Sequence, residues 1–145
     1  MASNANVRQR SGPARASPNS VLVYTPDPAT KAWAESELSG QPVMIRFVPS
    51  VAEIVRALVD DPPPLPQVLI ADFDAMKAAD VLHLHGIRER GWFGSIIALG
   101  EVAGSLKTSL NVERVLARPL GANVLRSAVS RIGLDLPTTK IPKIK

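Results

Sequence analysis

The chain has 145 residues, 46% of them hydrophobic, and a mean hydropathy of +0.09. This length suits one globular domain of roughly 100–150 residues, and no apolar run approaches the ~20 residues that a membrane-spanning helix needs. The absence of cysteine excludes disulfides, thiolate metal sites and cysteine nucleophiles. Since Met1–Ser20 lacks the hydrophobic stretch of a secretory signal, we expect a cytoplasmic protein.

The net charge of +4 is unevenly distributed along the chain. Residues 1–20 carry a net charge of +3 and residues 134–145 a net charge of +2, which leaves the middle at −1. Basic ends of this kind can contact phosphates or anionic lipid, or can simply be solvated. We expect a disordered basic tail at 1–19, one domain at 20–133 and a basic extended tail at 134–145.

Strand and helix patterns alternate between the two tails. Val21–Tyr24 predicts the first strand, and Thr30 is placed to cap a helix that Gly40 ends. Val43–Val48 predicts a second strand, and a capping box at Ser50 begins the second helix.

The second half of the domain continues this alternation. Its elements are predicted, in order, as a strand at Val68–Ala71, a helix at Ala78–Arg90 closed by Gly91, a strand at Ser95–Leu99, a short helix at Gly104–Leu110, a strand at Val115–Ala117, and a helix at Asn123–Ile132 stopped by Gly133. Five strands that alternate with five helices predict an α/β fold with a doubly wound, five-stranded parallel sheet.

Functional loops in such sheets lie at the carboxyl ends of the strands. Asp72 closes the apolar third strand, and Arg118–Pro119 follows the fifth strand. An ion pair between Arg118 and Asp72 would hold this part of the site closed.

Two stretches resemble the receiver domain of bacterial two-component response regulators. Pro66–Asp72 is similar to the phospho-acceptor strand, and Ala117–Leu120 is similar to the final Lys-Pro turn. The resemblance covers roughly residues 20–133 and implies a flavodoxin-like sheet in strand order 2-1-3-4-5. It also implies that Asp72 is the equivalent of the phospho-acceptor and that Arg118 is the equivalent of the family's lysine.

Three positions depart from the receiver pattern. Receivers hold Mg²⁺ with an acidic pair after the first strand, whereas Thr25 and Pro26 stand at the matching positions. Gly100 stands where receivers carry the serine or threonine hydroxyl that switches on phosphorylation. Arg118 keeps the positive charge of the lysine but brings a larger, planar group.

These departures predict a stand-alone pseudo-receiver: a signalling adaptor that acts by protein–protein interaction, is not an enzyme, and uses no metal or other cofactor. Two alternatives stay open. One is an atypical single-domain response regulator phosphorylated on Asp72. The other is a protein that binds nucleic acid or a membrane surface through its basic tails.

Receivers bind partners or dimerise through the face of the fourth helix, fifth strand and fifth helix. The residues expected on this face are Ser105, Arg114, Leu116, Arg126 and Arg131. Arg126 and Arg131 are expected to present a basic edge there. The resemblance implies another signalling or scaffold protein, or a second copy of the chain, as the partner, and no small-molecule substrate.

Other side chains admit a functional or a purely structural interpretation. Four acids on one predicted rim could form a non-standard cation site or act separately; they are Asp27, Asp72, Asp74 and Glu101. His83 and His85 lie roughly 200° apart on a helix, so they cannot share a metal, and we expect one to face the sheet and the other solvent. Trp92–Phe93 is either an exposed aromatic anchor or a core plug.

Overall fold

The computed structural model describes residues 19–62 and 65–138, with side chains at 20–62 and 65–132. The strands are β1 (Asn19–Tyr24), β2 (Val43–Val48), β3 (Val68–Asp72), β4 (Ser95–Leu99) and β5 (Val112–Leu116). The helices are α1 (Pro28–Leu38), α2 (Val51–Val55), α3 (Ala78–Glu89), α4 (Gly104–Leu110) and α5 (Val124–Thr138). A π-helical turn at Arg56–Asp60 continues α2, and a 3₁₀ turn at Phe73–Ala75 follows β3.

The strands form one parallel sheet in the order β2-β1-β3-β4-β5, which confirms the predicted strand order. Strand β3 occupies the centre, and all of Val68–Asp72 is buried. A strand that is apolar on both faces is stable only when helices cover both sides of the sheet. The central position of β3 therefore carries Asp72 to the middle of the sheet's carboxyl edge.

Hydrophobic cores lie on both faces of the sheet, because successive side chains of a strand point to opposite sides. In β1, Val21 and Val23 belong to the core beneath α1 and α5, whereas Leu22 and Tyr24 belong to the core that includes α2, α3 and α4. Trp92 is buried near the edge of the core that includes α2, α3 and α4. Its Nε1 donates to the Pro66 carbonyl at 2.8 Å.

The sequence left two roles open for Trp92–Phe93, an exposed aromatic side chain or a core plug, and the structure gives one role to each residue. The Trp92 side chain is buried as a core plug, whereas Phe93 is 80% exposed.

Helix α1 begins at Pro28, three residues earlier than a cap at Thr30 predicts. Asp27 is the cap, and its Oδ2 accepts from the Thr30 amide at 3.1 Å and from the Thr30 hydroxyl at 2.6 Å. Pro28 fits the first helical position, where a backbone N–H would lack a partner. The prediction that Thr30 caps this helix is wrong, because the residue three positions earlier already supplies the acceptor.

Strand β5 starts at Val112, three residues before the predicted start at Val115, and Ala117 lies outside it. Asn111 adopts a left-handed conformation with φ 56°, so α4 ends in a single residue and the strand follows directly.

The predicted end of the last helix at Gly133 is also wrong, since α5 continues to Thr138. Glycine ends a helix where the backbone turns left-handed, whereas an interior glycine costs only ~1 kcal/mol relative to alanine. Residues 134–138 are therefore helical and not extended, and Asn19 belongs to β1 and not to a tail. The predictions for 1–18 and 139–145 lie outside the described residues.

A guanidinium ties the end of α3 to the turn between α4 and β5. Arg88 donates to the backbone carbonyls of Leu110 at 2.9 Å, Asn111 at 3.2 Å, Trp92 at 3.2 Å and Gly94 at 2.8 Å. Burial lowers the pKa of Arg88 from its ordinary value, but an arginine in this setting remains charged. These bonds satisfy carbonyls that secondary structure leaves without donors.

None of the helices in the described part of the chain combines the length and the apolar composition that crossing a bilayer requires.

Candidate functional site

The carboxyl ends of β1, β3 and β5 bring Thr25, Asp72 and Arg118 into contact. The Asp72 side chain is 3% exposed, and its Oδ2 accepts from the Thr25 hydroxyl at 2.8 Å and from Arg118 Nη2 at 3.1 Å. The ion pair considered from the sequence is thus present in the structure. Because this carboxylate is almost fully withdrawn from water, these two donors replace hydrogen bonds that water would otherwise supply.

Arg118 is shared among several acceptors. Its Nη2 also donates to the Thr30 hydroxyl at 3.2 Å, and its Nε lies 3.4 Å from Asp74 Oδ2. The guanidinium therefore joins two carboxylates of the β3 end to the first turn of α1. Its peptide bond to Pro119 is cis.

The donor set after β1 does not suit Mg²⁺, the metal that the family resemblance implies. Mg²⁺ requires near-octahedral coordination by hard oxygen ligands. The Thr25 hydroxyl already donates to Asp72 and accepts from the Asp27 amide at 3.2 Å, and the Pro26 side chain offers no ligand atom. At Asp72, only the buried Oδ1 lacks a hydrogen-bond partner among the described residues. One carboxylate oxygen does not make a magnesium site.

The other acids of the predicted rim are engaged separately. Asp27 caps α1, and the hydrogen bonds from the Thr30 hydroxyl and amide, together with the charge of Arg118, lower the pKa of Asp27. Asp74 contacts Arg118, and its Oδ1 accepts from the backbone amide of Glu101 at 3.2 Å. Within residues 19–62 and 65–138, no three acidic or histidine side chains are grouped to hold a metal ion. The interpretation as a non-standard cation site is wrong.

Gly100 lacks a hydroxyl, and its backbone conformation also favours glycine at this position. Its φ is +100°, a region that side-chain-bearing residues rarely adopt, and a Cβ there would overlap the Asp74 carboxylate. The backbone amide of Gly100 donates to the Leu116 carbonyl at 2.9 Å, which fixes this turn. The Asp74 carboxylate therefore fills the space that a side chain at Gly100 would need.

A Gly100→Ser substitution, which restores the hydroxyl, is expected to lower the free energy of unfolding by about 2–3 kcal/mol through the strained φ and the displaced Asp74. Urea denaturation measures this loss. Gly104→Ser is the matched control, because nothing lies within 4 Å of a Cβ at that exposed position. Equal urea midpoints for the two variants would contradict this role of the Gly100 conformation. Adding Asp74→Ala to Gly100→Ser should recover part of the lost stability.

Only some of the residues expected on the interaction face are accessible in the structure. Ser105 and Arg131 are exposed and Arg114 is half-buried. Leu116 is 8% exposed and packs in the core beneath α5, so its placement on this face is wrong. The physical reason is the alternation of side chains along β5, which turns Leu116 toward α5.

Arg126 also departs from the predicted face. Its Nε donates to the Glu37 carbonyl at 3.2 Å, and Ser130 Oγ donates to Gln41 Oε1 at 3.1 Å, so this flank of α5 faces α1. Arg131 lies about 140° further around the helix. The predicted basic edge formed by both arginines is therefore wrong.

The two histidines of α3 lie outside the site. His83 is exposed and His85 is half-buried, whereas Leu84 and Ile87 are the buried residues of this helix. The expectation that one histidine faces the sheet is wrong, because Leu84, which stands between them, takes that direction.

Sequence reasoning missed the roles of Thr30 and Asp74 in the Arg118 network. Thr30 was assigned to a helix cap, and Asp74 was recognised only as an acid two residues after Asp72. The available signal was local: an acid two residues after the β3 acid, and a glycine after β4 that leaves room for it.

The fold is similar to solved receiver-domain structures. The chemotaxis protein CheY4 of Vibrio cholerae is similar at a TM-score of 0.65 and 14% identity, with 79% of this chain and 98% of that chain covered. A response regulator in red light signaling of R. palustris gives 0.66 and 14%, with 85% and 96% covered. A putative pilus assembly protein from Burkholderia thailandensis gives 0.62 and 17%, with 79% and 97% covered.

No protein-family model matches the chain, and no curated protein sequence matches it. At identities this low the likeness concerns the architecture: the chain has the receiver-domain fold.

Proposed function

We propose that this chain is a receiver-like signalling module that acts through protein–protein contacts and is not phosphorylated by the Mg²⁺-dependent route of receivers. The observation that supports this function is the closed network at Asp72. One oxygen is held by Thr25 and Arg118, and the other is buried.

Transfer of a phosphoryl group to a carboxylate needs an accessible attacking oxygen and a cation that offsets the incoming negative charge. In this protein the carboxylate is withdrawn from solvent, and Arg118, in the segment after β5, forms an ion pair with it. The position of the switch hydroxyl is a glycine whose surroundings Asp74 fills. The residues present favour one fixed state and disfavour a switch between two.

A fixed state suits an adaptor whose surface is constantly available in the cytoplasm. The partner we propose is another signalling or scaffold protein, or a second copy of the chain. The contact residues are Ser105, Arg114 and Arg131 on the side formed by α4, β5 and the outer flank of α5. No substrate chemistry is assigned to the module.

Titration with Mg²⁺ and beryllofluoride, a phosphoryl mimic, tests this proposal by amide NMR. We expect no saturable shifts at Asp72, Gly100 or Arg118 at millimolar Mg²⁺, because the ligand set does not suit the metal. Saturable shifts that disappear in Asp72→Asn would overturn the proposal and make the chain an atypical regulator phosphorylated on Asp72.

A Thr25→Asp, Pro26→Asp variant provides the matched comparison. Supplying both carboxylates should produce Mg²⁺-dependent shifts at the end of β1, since hard oxygen ligands would then stand beside Asp72. Mg²⁺-dependent shifts in this variant, together with their absence in the unmodified chain, would indicate that Thr25 and Pro26 account for the missing Mg²⁺ binding.

A further inference from the structure

A cavity of about 470 Å³ lies between α2 and α3. Its volume falls within the roughly 300–1,000 Å³ that small-molecule sites occupy in proteins. Small, apolar and nitrogen-bearing residues of the two helices line it: Ala52, Val55, Leu82, His83, Gly86 and Arg90. Neither Asp72 nor Arg118 is among them, so this cavity is separate from the Asp72 site.

Gly86 leaves open space in the α3 wall of the cavity. It lies inside α3, its φ is not left-handed, and a Cβ there would meet nothing within 4 Å. Neither the backbone nor a close neighbour therefore requires glycine at this position. Since glycine inside a helix costs ~1 kcal/mol relative to alanine, Gly86 adds no stability to the fold. What it provides is volume opposite Val55 of α2.

The polar side chains that line the cavity are nitrogen donors. His83 and Arg90 lie about two turns apart on the same side of α3, and neither takes part in an ion pair among the described residues. Within residues 20–62 and 65–132, no carboxylate lines the cavity. Glu53 is paired with Arg56 at 3.5 Å, and Glu89 lies about 100° around α3 from Arg90. The cavity therefore offers an anion a guanidinium that no carboxylate occupies.

The exposed apolar surface beside the cavity is small. Leu82 is 68% exposed and is the only large apolar side chain exposed on α3, and Val55 of α2 is half-buried. A partner helix in a groove is held by several apolar anchors at i, i+3, i+4 and i+7, whereas α3 supplies one. A small apolar body would cover Leu82 and Val55 and gain from their removal from water. The surface therefore favours a small ligand over a protein segment.

We propose that this cavity binds a small amphipathic carboxylate. Arg90 and His83 hold its charged end, and its apolar body lies over Gly86 against Val55 and Leu82. Arginine suits a carboxylate because its planar fork donates two parallel hydrogen bonds, and a neutral imidazole adds one N–H donor. This inference goes beyond the proposed function and does not depend on it.

Amide NMR of the full chain, titrated with 4-phenylbutyrate, tests the proposal. We expect saturable shifts at Val55, Gly86 and Arg90 with a Kd of about 1 mM, the affinity typical of a ligand with about twelve non-hydrogen atoms. 4-Phenylbutylamine keeps the apolar body and reverses the charge, so it should bind at least tenfold more weakly. Arg90→Gln should weaken phenylbutyrate binding about tenfold, because a charge-assisted hydrogen bond is lost.

Gly86→Ala separates a binding role from a structural one. The added methyl group should raise the melting temperature by about 2–5 °C, because alanine is the better helix former. The same methyl group occupies cavity volume and should weaken phenylbutyrate binding about threefold, and Gly86→Leu should weaken it at least tenfold. A residue with a purely structural role would not change stability and affinity in opposite directions.

Lys107→Gln is the matched control for Arg90→Gln. Lys107 is an exposed cation on α4 that does not line the cavity, so this variant should bind phenylbutyrate as the unmodified chain does. Each of three results would overturn the proposal: no saturable shifts, equal affinities for the acid and the amine, or unchanged affinity in folded Arg90→Gln and Gly86→Leu variants. Shifts confined to Trp33 and Leu120, which line a separate cavity beside Arg118, would overturn it as well.

Discussion

An Arg118→Met variant is expected to lose about 3 kcal/mol of unfolding free energy, because removal of one partner leaves a buried carboxylate without its counter-charge. Asp72 is 3% exposed at the side chain, while Arg118 is 34% exposed and holds Asp72 at 3.1 Å. Methionine keeps much of the volume, so the loss reports the charge. Urea denaturation at neutral pH measures it.

Arg114→Met is the control for this result. Arg114 is half-buried on β5, the strand that precedes Arg118, and no ion pair to it occurs among the described residues, so its replacement should cost within about 0.5 kcal/mol. An Arg118→Met, Asp72→Leu double variant should recover part of the loss, because hydrophobic replacement of both partners is often nearly neutral. Equal stability of the two single variants would refute a structural role for the ion pair.

A Glu37→Ala variant is the second change with a large expected effect, a loss of about 3 kcal/mol. The buried Glu37 carboxylate accepts from the amides of Asn123 at 2.8 Å, Leu125 at 2.9 Å and Arg126 at 3.3 Å. These amides begin α5 and have no intrahelical acceptor, and loss of a helix cap costs about 1–2 kcal/mol before the charge–dipole interaction is counted. Thermal and urea unfolding measure the loss.

Glu35→Ala tests whether the effect belongs to the cap. Glu35 is exposed on the same helix, so its loss should change stability by about 0.5 kcal/mol or less. Glu37→Gln retains one acceptor oxygen and should fall between the two. Hydrogen exchange at Leu125 and Arg126 should accelerate in Glu37→Ala alone. Unchanged exchange would contradict the capping role.

These two sites share one structural element. Helix α1 contacts the segment after β5 at successive levels: Thr30 accepts from Arg118 at 3.2 Å, Trp33 Nε1 donates to the Gly121 carbonyl at 3.0 Å, and Glu37 caps α5. In a switching receiver-like domain this loop would have to move with the cation. Its attachment to α1 supports the proposal of a module held in one state.

Much of the architecture followed from local patterns. The apolar run Val68–Ala71 and the alternation of strands with helices predicted a parallel sheet, because periodicity is set by neighbouring residues, whereas the observed strand order was implied by the resemblance to receiver domains. Predictions from local patterns were wrong at the ends of some helices and strands. Gly133 resembles a helix stop in sequence, but the backbone around it stays helical through Thr138.

Local sequence was enough to place Asp72 at the end of a buried strand and Arg118 after the last strand, and to show that Thr25 and Pro26 supply no carboxylate. The meeting of Asp72 and Arg118 could be predicted as well, because the resemblance to receiver domains implied the strand order and the carboxyl ends of parallel strands share one edge. The packing of whole elements was needed to show that Asp74 fills the space beside Gly100 and that Glu37 caps a helix 86–89 residues away in the chain. Such contacts depend on how whole elements pack, so the residues beside Asp74 or Glu37 in the sequence do not by themselves identify the contact partner.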